Sequence, residues 1–365
     1  MEKLMKVCMI MMLFICSGCS NQENDIDYDK DVSFKTGLSY ALSSKGMYFY
    51  DHDDNGENVV YFYDRSSKKV VPLCQKVNCN HKDRTCYAYQ LGSIQENNQY
   101  YQLISMIYQQ NRLYLAYFPL SMDPILIKSI AEDGSDLKTE YELKDIGLLN
   151  GFSMRDKQII ISRNYMEKNE AGKIIGSSTI NSLVFYDMQS QKEKILVNEE
   201  KKKDRFIYQL GMIDDDLYYF DIGFSEENKL GNLYSINLIN NETKNLGSFP
   251  SLIQMYKENI YYVKNNQIIC YNLKKQKEHK ISNLPHERAN ISVSHYGTLD
   301  ITYQDDTLNN YVQIIDLKTE KNIFNEEMIN IEILGKYNDN LLYKDEKNQY
   351  ILYNIKDKKG EKIDV

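Results

Sequence analysis

Three cysteines and a histidine fall within thirteen residues of this chain, in the order Cys74, Cys79, His81, Cys86. Thiolates and an imidazole are ligands that tetrahedral zinc takes, and C-x4-C-x-H-x4-C supplies four of them; the one-residue gap between Cys79 and His81 departs from the usual knuckle spacing. Two other chemistries compete for the same side chains. Outside the cytoplasm a disulfide among the three cysteines would pin a loop that is otherwise costly to order. Left unpaired, they form a redox-active or free thiol set. Any disulfide leaves one cysteine over, which must stay free, bind metal or reach Cys270, whose place in the apolar run 268–273 reads as a small buried hydrophobe.

A second cluster, Asp51, Asp53 and Asn55, offers oxygen ligands at alternate positions before Gly56, as calcium loops do. The bidentate Glu expected at the twelfth position is replaced by Phe62, so the stretch reads equally as an acidic hairpin turn. Asp214-Asp215-Asp216 and Asp305-Asp306 occupy turns of the same kind. His279, His286 and His295 are scattered with no His-Glu-x-x-His arrangement, and there is neither a Gly-x-Ser-x-Gly nor a Gly-rich phosphate loop. No catalytic residue is assigned from the sequence.

The elements that must position these residues are strands. Of 365 residues, 31 are Tyr, 12 Phe and none Trp, a bias that suits pleated surfaces, where the ring packs and the hydroxyl reaches water. Apolar and aromatic residues alternate over short runs bounded by Asn, Asp and Gly, the pattern of hairpins. The clearest copy is 214–221 followed by 233–238 and the turn 240–243; others pair 47–50 with 59–64, 113–117 with 125–130, 158–162 with 183–187, 260–263 with 268–273, 299–303 with 312–317, and 340–344 with 350–355. Short apolar strands flank each pair, giving four strands per repeat of roughly 40–50 residues, the signature of a propeller blade. The expected fold is all-β: one β-propeller over 34–365 with seven four-stranded blades, six or eight if the first boundary is misplaced, and an insert at 74–86. Two packed β-sandwiches are the competing architecture.

The first residues read differently. Lys3 and Lys6 precede an apolar run, 7–15, too short to span a bilayer, and Cys16-Ser17-Gly18-Cys19 places small residues before a cysteine. This resembles a bacterial lipoprotein signal, with Cys16 where that motif normally has Leu. The resemblance implies a signal peptide at 1–18, cleavage after Gly18 and a lipid on Cys19, hence an extracytoplasmic protein anchored to the membrane. Residues 19–33 are polar and acidic and read as a flexible tether.

The recurring phrase Leu-Tyr-x-Ile-Asp/Asn-Leu, seen at 233–238 and in variants at 269–273, 314–317 and 352–355, resembles TolB-like and WD-repeat-like propellers of bacterial lipoproteins. The cysteine insert resembles one found in uncharacterised lipoproteins of Gram-positive anaerobes. The propeller resemblance implies a binding or protein-interaction module with a protein, peptide or glycan ligand, whereas the insert's resemblance carries no known activity. An extracellular polysaccharide lyase or hydrolase, and a cell-surface metal or redox sensor built on the insert, are the alternatives. A net charge of −8 without clustered basic residues argues against nucleic acid; Lys201-Lys202-Lys203 reads as a solvated turn.

Overall fold

In the computed structural model, residues 34–364 are described apart from 54, 97, 120–124, 144–146, 169–173, 200–204, 224–229, 251–252, 285–288, 295–296, 305–309, 328–331, 338 and 346. The signal, Cys19 and the tether lie outside the described residues, as do His286, His295, Asp305, Asp306 and Lys201 to Lys203.

Among the described residues thirty strands, numbered β1 to β30 along the chain, form seven antiparallel sheets. The ring follows from strand periodicity. Successive side chains point to opposite faces of a strand, so each blade has two apolar faces to bury. Met47 and Phe49 of β3 (Gly46–His52) join a cluster with Leu342 and Tyr350 of blade seven, whereas Tyr48 joins one with Tyr108 and Leu113 of blade two. Five further apolar clusters join blade two to three, three to four, four to five, five to six and six to seven. Seven interfaces for seven blades close the circle, which excludes the paired sandwiches.

The recurring phrase has a physical reason. Its Asp or Asn ends the third strand of the blade and accepts a backbone N–H in the following turn: Asp64 from Ser66, Asp187 from Ser190, Asn237 from Asn240, Asn272 from Lys275, Asp316 from Thr319 and Asn354 from Asp357. Four residues after each, Lys68, Gln191, Asn241, Gln276, Glu320 and Lys358 take positive φ and reverse the chain. Blade two alone uses another turn, in which Asp133 accepts from Ser135 N and Gly134 has φ 85°.

Two blades exceed four strands. Blade two gains β6 (Ser93–Glu96) against β7 (Gln99–Gln109). Blade three gains β1 (Phe34–Thr36), which pairs antiparallel with Ser153–Arg155 of β11 (Gly147–Arg155). First strands of neighbouring blades adjoin one another: β2 (Tyr40–Leu42) with β7, β7 with β11, and β11 with β15 (Arg205–Ile213). They are therefore the inner wall, and β1 lies inside it. From there Gly37 N donates to Phe152 O, Leu38 bridges Met106 of β7, and the chain turns into β2. A Cβ on Gly37 would run into the Ser105 hydroxyl and the Phe152 ring, so this inner strap needs a glycine where it crosses from blade three to blade two.

No strand is exchanged where the ring closes, because blade one runs from β2 to β5 (Lys69–Pro72) and blade seven from β27 (Glu332–Tyr337) to β30 (Lys359–Lys362). Polar groups join the seam instead. The Asp51 carboxylate, 1% exposed, accepts from Lys344 Nζ at 2.8 Å and from the Tyr350 hydroxyl at 2.7 Å, and Val70 N donates to Asp364 O. Removing one partner of a buried ion pair strands the other charge. Lys344→Ala should therefore cost about 3 kcal/mol in urea unfolding. Lys68→Ala, which breaks the exposed Lys68–Glu361 pair at the same seam, should cost less than about 0.5 kcal/mol.

Candidate metal centre

The insert leaves the end of β5 (Lys69–Pro72), crosses the face of the ring that carries the second-to-third-strand loops, and ends in α1 (Tyr87–Gly92) before blade two. Its backbone is bent by polar residues. Asn78 and His81 both take positive φ, which Asn and His tolerate better than most residues. Asn80 accepts from Lys82 N, and Asp83 accepts from Thr85 N and from the Thr85 hydroxyl. The Thr85 hydrogen bonds, side chain first, hold the Asp83 carboxyl below its ordinary range. Cys86 N closes the last turn on Asp83 O.

These bends bring the four sequence-predicted ligands together. The sulfurs of Cys74, Cys79 and Cys86 and a ring nitrogen of His81 all lie within 4.8 Å of one another, and His81 Nδ1 is 3.3 Å from Cys86 Sγ. All three cysteines are free thiols here. At metal–ligand bonds of about 2.0–2.3 Å, tetrahedral ligands sit roughly 3.5–3.8 Å apart, so the cluster has the donor number, type and spacing of a metal site. Cys74 and Cys79 are half-buried and Cys86 is buried against Val59, Ala88 and Tyr89.

Backbone amides complete the electrostatics. Burial opposes ionisation of Cys74, but hydrogen bonds to its sulfur from the N–H groups of Lys76 and Tyr87, and from the Cys86 and Cys79 thiols, outweigh it and hold the thiol below its usual value. Burial pushes Cys86 up to about 12 despite an N–H from Ala88. In both cases the residue two positions after the cysteine donates, which would spread the charge of a metal-bound thiolate. Around this core the insert is fastened to blade one: Arg84 binds the Glu57 carboxylate through Nε at 3.0 Å and Nη2 at 2.6 Å, and the Tyr89 hydroxyl donates to Asp53 at 3.0 Å. It is fastened to blade two through the Tyr117 hydroxyl, which donates to Leu91 O at 2.7 Å. Lys76, Tyr87, Ala88 and Arg84 carry no signal in the cysteine spacing that would have singled them out.

The calcium candidates are used elsewhere. Asp51 faces Lys344 and Tyr350 across the seam. Asp53 caps its own turn, accepting from Asn55 N and Glu57 N, and Asn55 turns its amide onto Asp53. Among the described residues the Cys74 cluster is the group whose ligand atoms converge. Cys270 sits in blade five, 2% exposed and packed with Tyr261 and Leu299; burial pushes its thiol up to about 11. His279 pairs with Glu320, and Asp215 and Asp216 bind Arg155 and Asn237.

No protein-family model and no curated protein sequence matches the chain. Solved structures do. A prolyl endopeptidase superposes with TM-score 0.58 at 12% identity over 92% of this chain and 50% of its own. A puromycin hydrolase gives 0.53 at 6% identity over 94% and 55%, and an oligogalacturonate lyase from Vibrio parahaemolyticus gives 0.48 at 8% over 83% of each. The protein is a seven-bladed β-propeller. At these identities the likeness is one of fold, and the chain spans about half the length of the first two structures.

Thiols react as thiolates, so the lowered Cys74 pKa and the raised values at Cys86 and Cys270 set an order. In reduced, metal-free protein at neutral pH, iodoacetamide should label Cys74 before Cys86 and Cys270, as read by peptide mass spectrometry. Raising the pH should narrow the gap.

Proposed function

We propose that this propeller is an extracytoplasmic binding module, held at a membrane by a lipid on Cys19, that recognises a protein, peptide or glycan through the face bearing the insert. The observation that carries the reading is the inner strap. Residues 34–38 lie along the inner strands of blades three and two, so the chain itself covers the strand edges of those two blades that a channel-bound substrate would otherwise meet. The strap's polar groups are turned onto the wall: Thr36 Oγ1 lies 3.2 Å from the Ser153 hydroxyl, and Gln209 Nε2 donates to the same hydroxyl at 3.1 Å. Recognition then falls to the outer loops.

The insert supplies that face with a fixed shape if it holds zinc through Cys74, Cys79, His81 and Cys86. Four protein ligands leave no open position, which is the arrangement of a structural rather than a catalytic ion. Bound there, the ion would supply cross-linking and charge neutralisation. The residues do the rest: Arg84 and Tyr89 transmit the fixed loop to the turn at Asp53 and Glu57, and Leu91 transmits it to blade two.

Two measurements test the proposal. The mature chain purified under reducing conditions should carry about one zinc per molecule by elemental analysis. Cys79→Ser and His81→Ala should each lower that content and the melting temperature, and a metal-free preparation with a protected disulfide would overturn the assignment. On glycan and peptide arrays the mature chain should bind a discrete set of probes. Arg84→Ala, which frees the insert from Glu57, should weaken that binding several-fold. Turnover of a bound glycan, read as unsaturated sugar or new reducing ends, would replace the binding reading with the lyase or hydrolase one.

A further inference from the structure

The outermost strand of a blade begins, in six of seven cases, with a lysine: Lys69, Lys138, Lys192, Lys277, Lys321 and Lys359. All six are exposed. Lys138 pairs with Asp136, whereas the other five have no carboxylate partner among the described residues. Each stands just after a third-to-fourth-strand turn, so together they ring the rim of one face of the propeller. First-to-second-strand turns open on that same face, because strands alternate in direction. Carboxylates stand on both faces: Asp53, Glu57 and Asp345 in the second-to-third-strand turns of the opposite face, and Asp64, Asp187 and Asp316 in the turns before the lysines, where each accepts a backbone N–H of its own turn.

The inner strap points to the same side. Phe34 pairs with Arg155, the last residue of β11 before its turn, and β1 runs antiparallel to β11. The N-terminal end of β1 therefore lies toward the lysine face. Fourteen residues separate Cys19 from Phe34. A flexible chain of that length has a root-mean-square span of roughly 20 Å. Passing outward along four strands and then up a seven-residue strand to the other face takes about 40 Å, roughly twice that span and about four-fifths of the roughly 50 Å of full extension.

We propose that the lysine-ringed turn face is the membrane-proximal face, docking on anionic lipid headgroups, so that the insert and its loops point away from the bilayer. This rests on the lipid-anchor reading of Cys19 and adds a direction to it. Four neighbouring lysines are neutralised locally, in the pairs Lys68–Glu361, Lys244–Glu242, Lys274–Glu258 and Lys356–Asp339, which leaves the strand-start lysines to meet the headgroups. A lysine at a sheet edge also discourages edge-to-edge pairing. That role is indifferent to which end of the strand bears the charge, whereas here the lysines gather at one end.

The test is lysine acetylation footprinting of the mature chain, joined to an acyl chain at its N-terminal residue by oxime ligation and bound to vesicles. On phosphatidylglycerol vesicles Lys69, Lys192, Lys277, Lys321 and Lys359 should be acetylated about threefold or more slowly than in solution, with Lys82 and Lys347 on the opposite face unchanged; added salt should reverse the protection. Protection of Lys82 and Lys347 instead, or equal rates with and without vesicles, would overturn the proposal. Because the anchor is synthetic, this outcome is independent of native lipidation, which is read separately as loss of incorporated palmitate in Cys19→Ala.

Discussion

The rest of this structure depends on one constraint: a four-stranded sheet with two apolar faces is stable only when both are covered, and a ring of such sheets must close. Six of the seven interfaces join blades that follow one another along the chain. The seventh joins residues almost three hundred positions apart without exchanging a strand, so side chains must specify it. Asp51 does so through Lys344 and Tyr350. A buried ion pair is weak evidence for stability but can mark register. With the Asp51 side chain buried, Lys344 balances its charge and the Tyr350 hydroxyl donates to it, and both are in place only when blade seven packs in one alignment.

Much of this architecture was legible because it is local and repeated. The Asp or Asn that ends each third strand looks like a motif of unknown purpose in the sequence and proves to be a turn cap, with a positive-φ residue four places on. The strap was not legible, and the reason is physical. Three residues of strand show no periodicity, and the partners of Phe34 to Thr36 lie at 153–155, beyond the reach of any local pattern. The same holds for α1, whose six residues are too few for a helical period to be read.

The candidate site divides along similar lines. Ligand types and their order could be read from the chain, because donor chemistry is a property of residue identity. What makes the cluster a site is backbone: amides of Lys76, Tyr87 and Ala88 directed at sulfur, and left-handed turns at Asn78 and His81, none of which a spacing encodes. Asp51 shows the opposite case, where a signal was present and outweighed. Its alternation with Asp53 and Asn55 suggested a cation loop, yet it also alternates with Met47 and Phe49, which places it on the face of β3 that meets blade seven. Strand periodicity was the stronger indicator, because the period holds along the whole of β3 whereas the oxygen pattern lacks its final ligand.

Sequence separation also orders the assembly. All the strand partners of blade one lie within 40–72, and the insert fastens to it within the next twenty residues, through Arg84 to Glu57 and Tyr89 to Asp53. The strap cannot dock until Ser153 to Arg155 exist, and the seam waits for Lys344 and Tyr350. Loop closure over such distances is entropically costly before its contacts form. The early, local fastening of the insert therefore matters more than its size suggests: it stiffens the loop face of blade one while the blade's other flank is still open. The strap then ties blades one, two and three from within. Blade seven therefore meets a partner that is held on its loop face by the insert and along its inner strand by the strap, and the seam does without a shared strand.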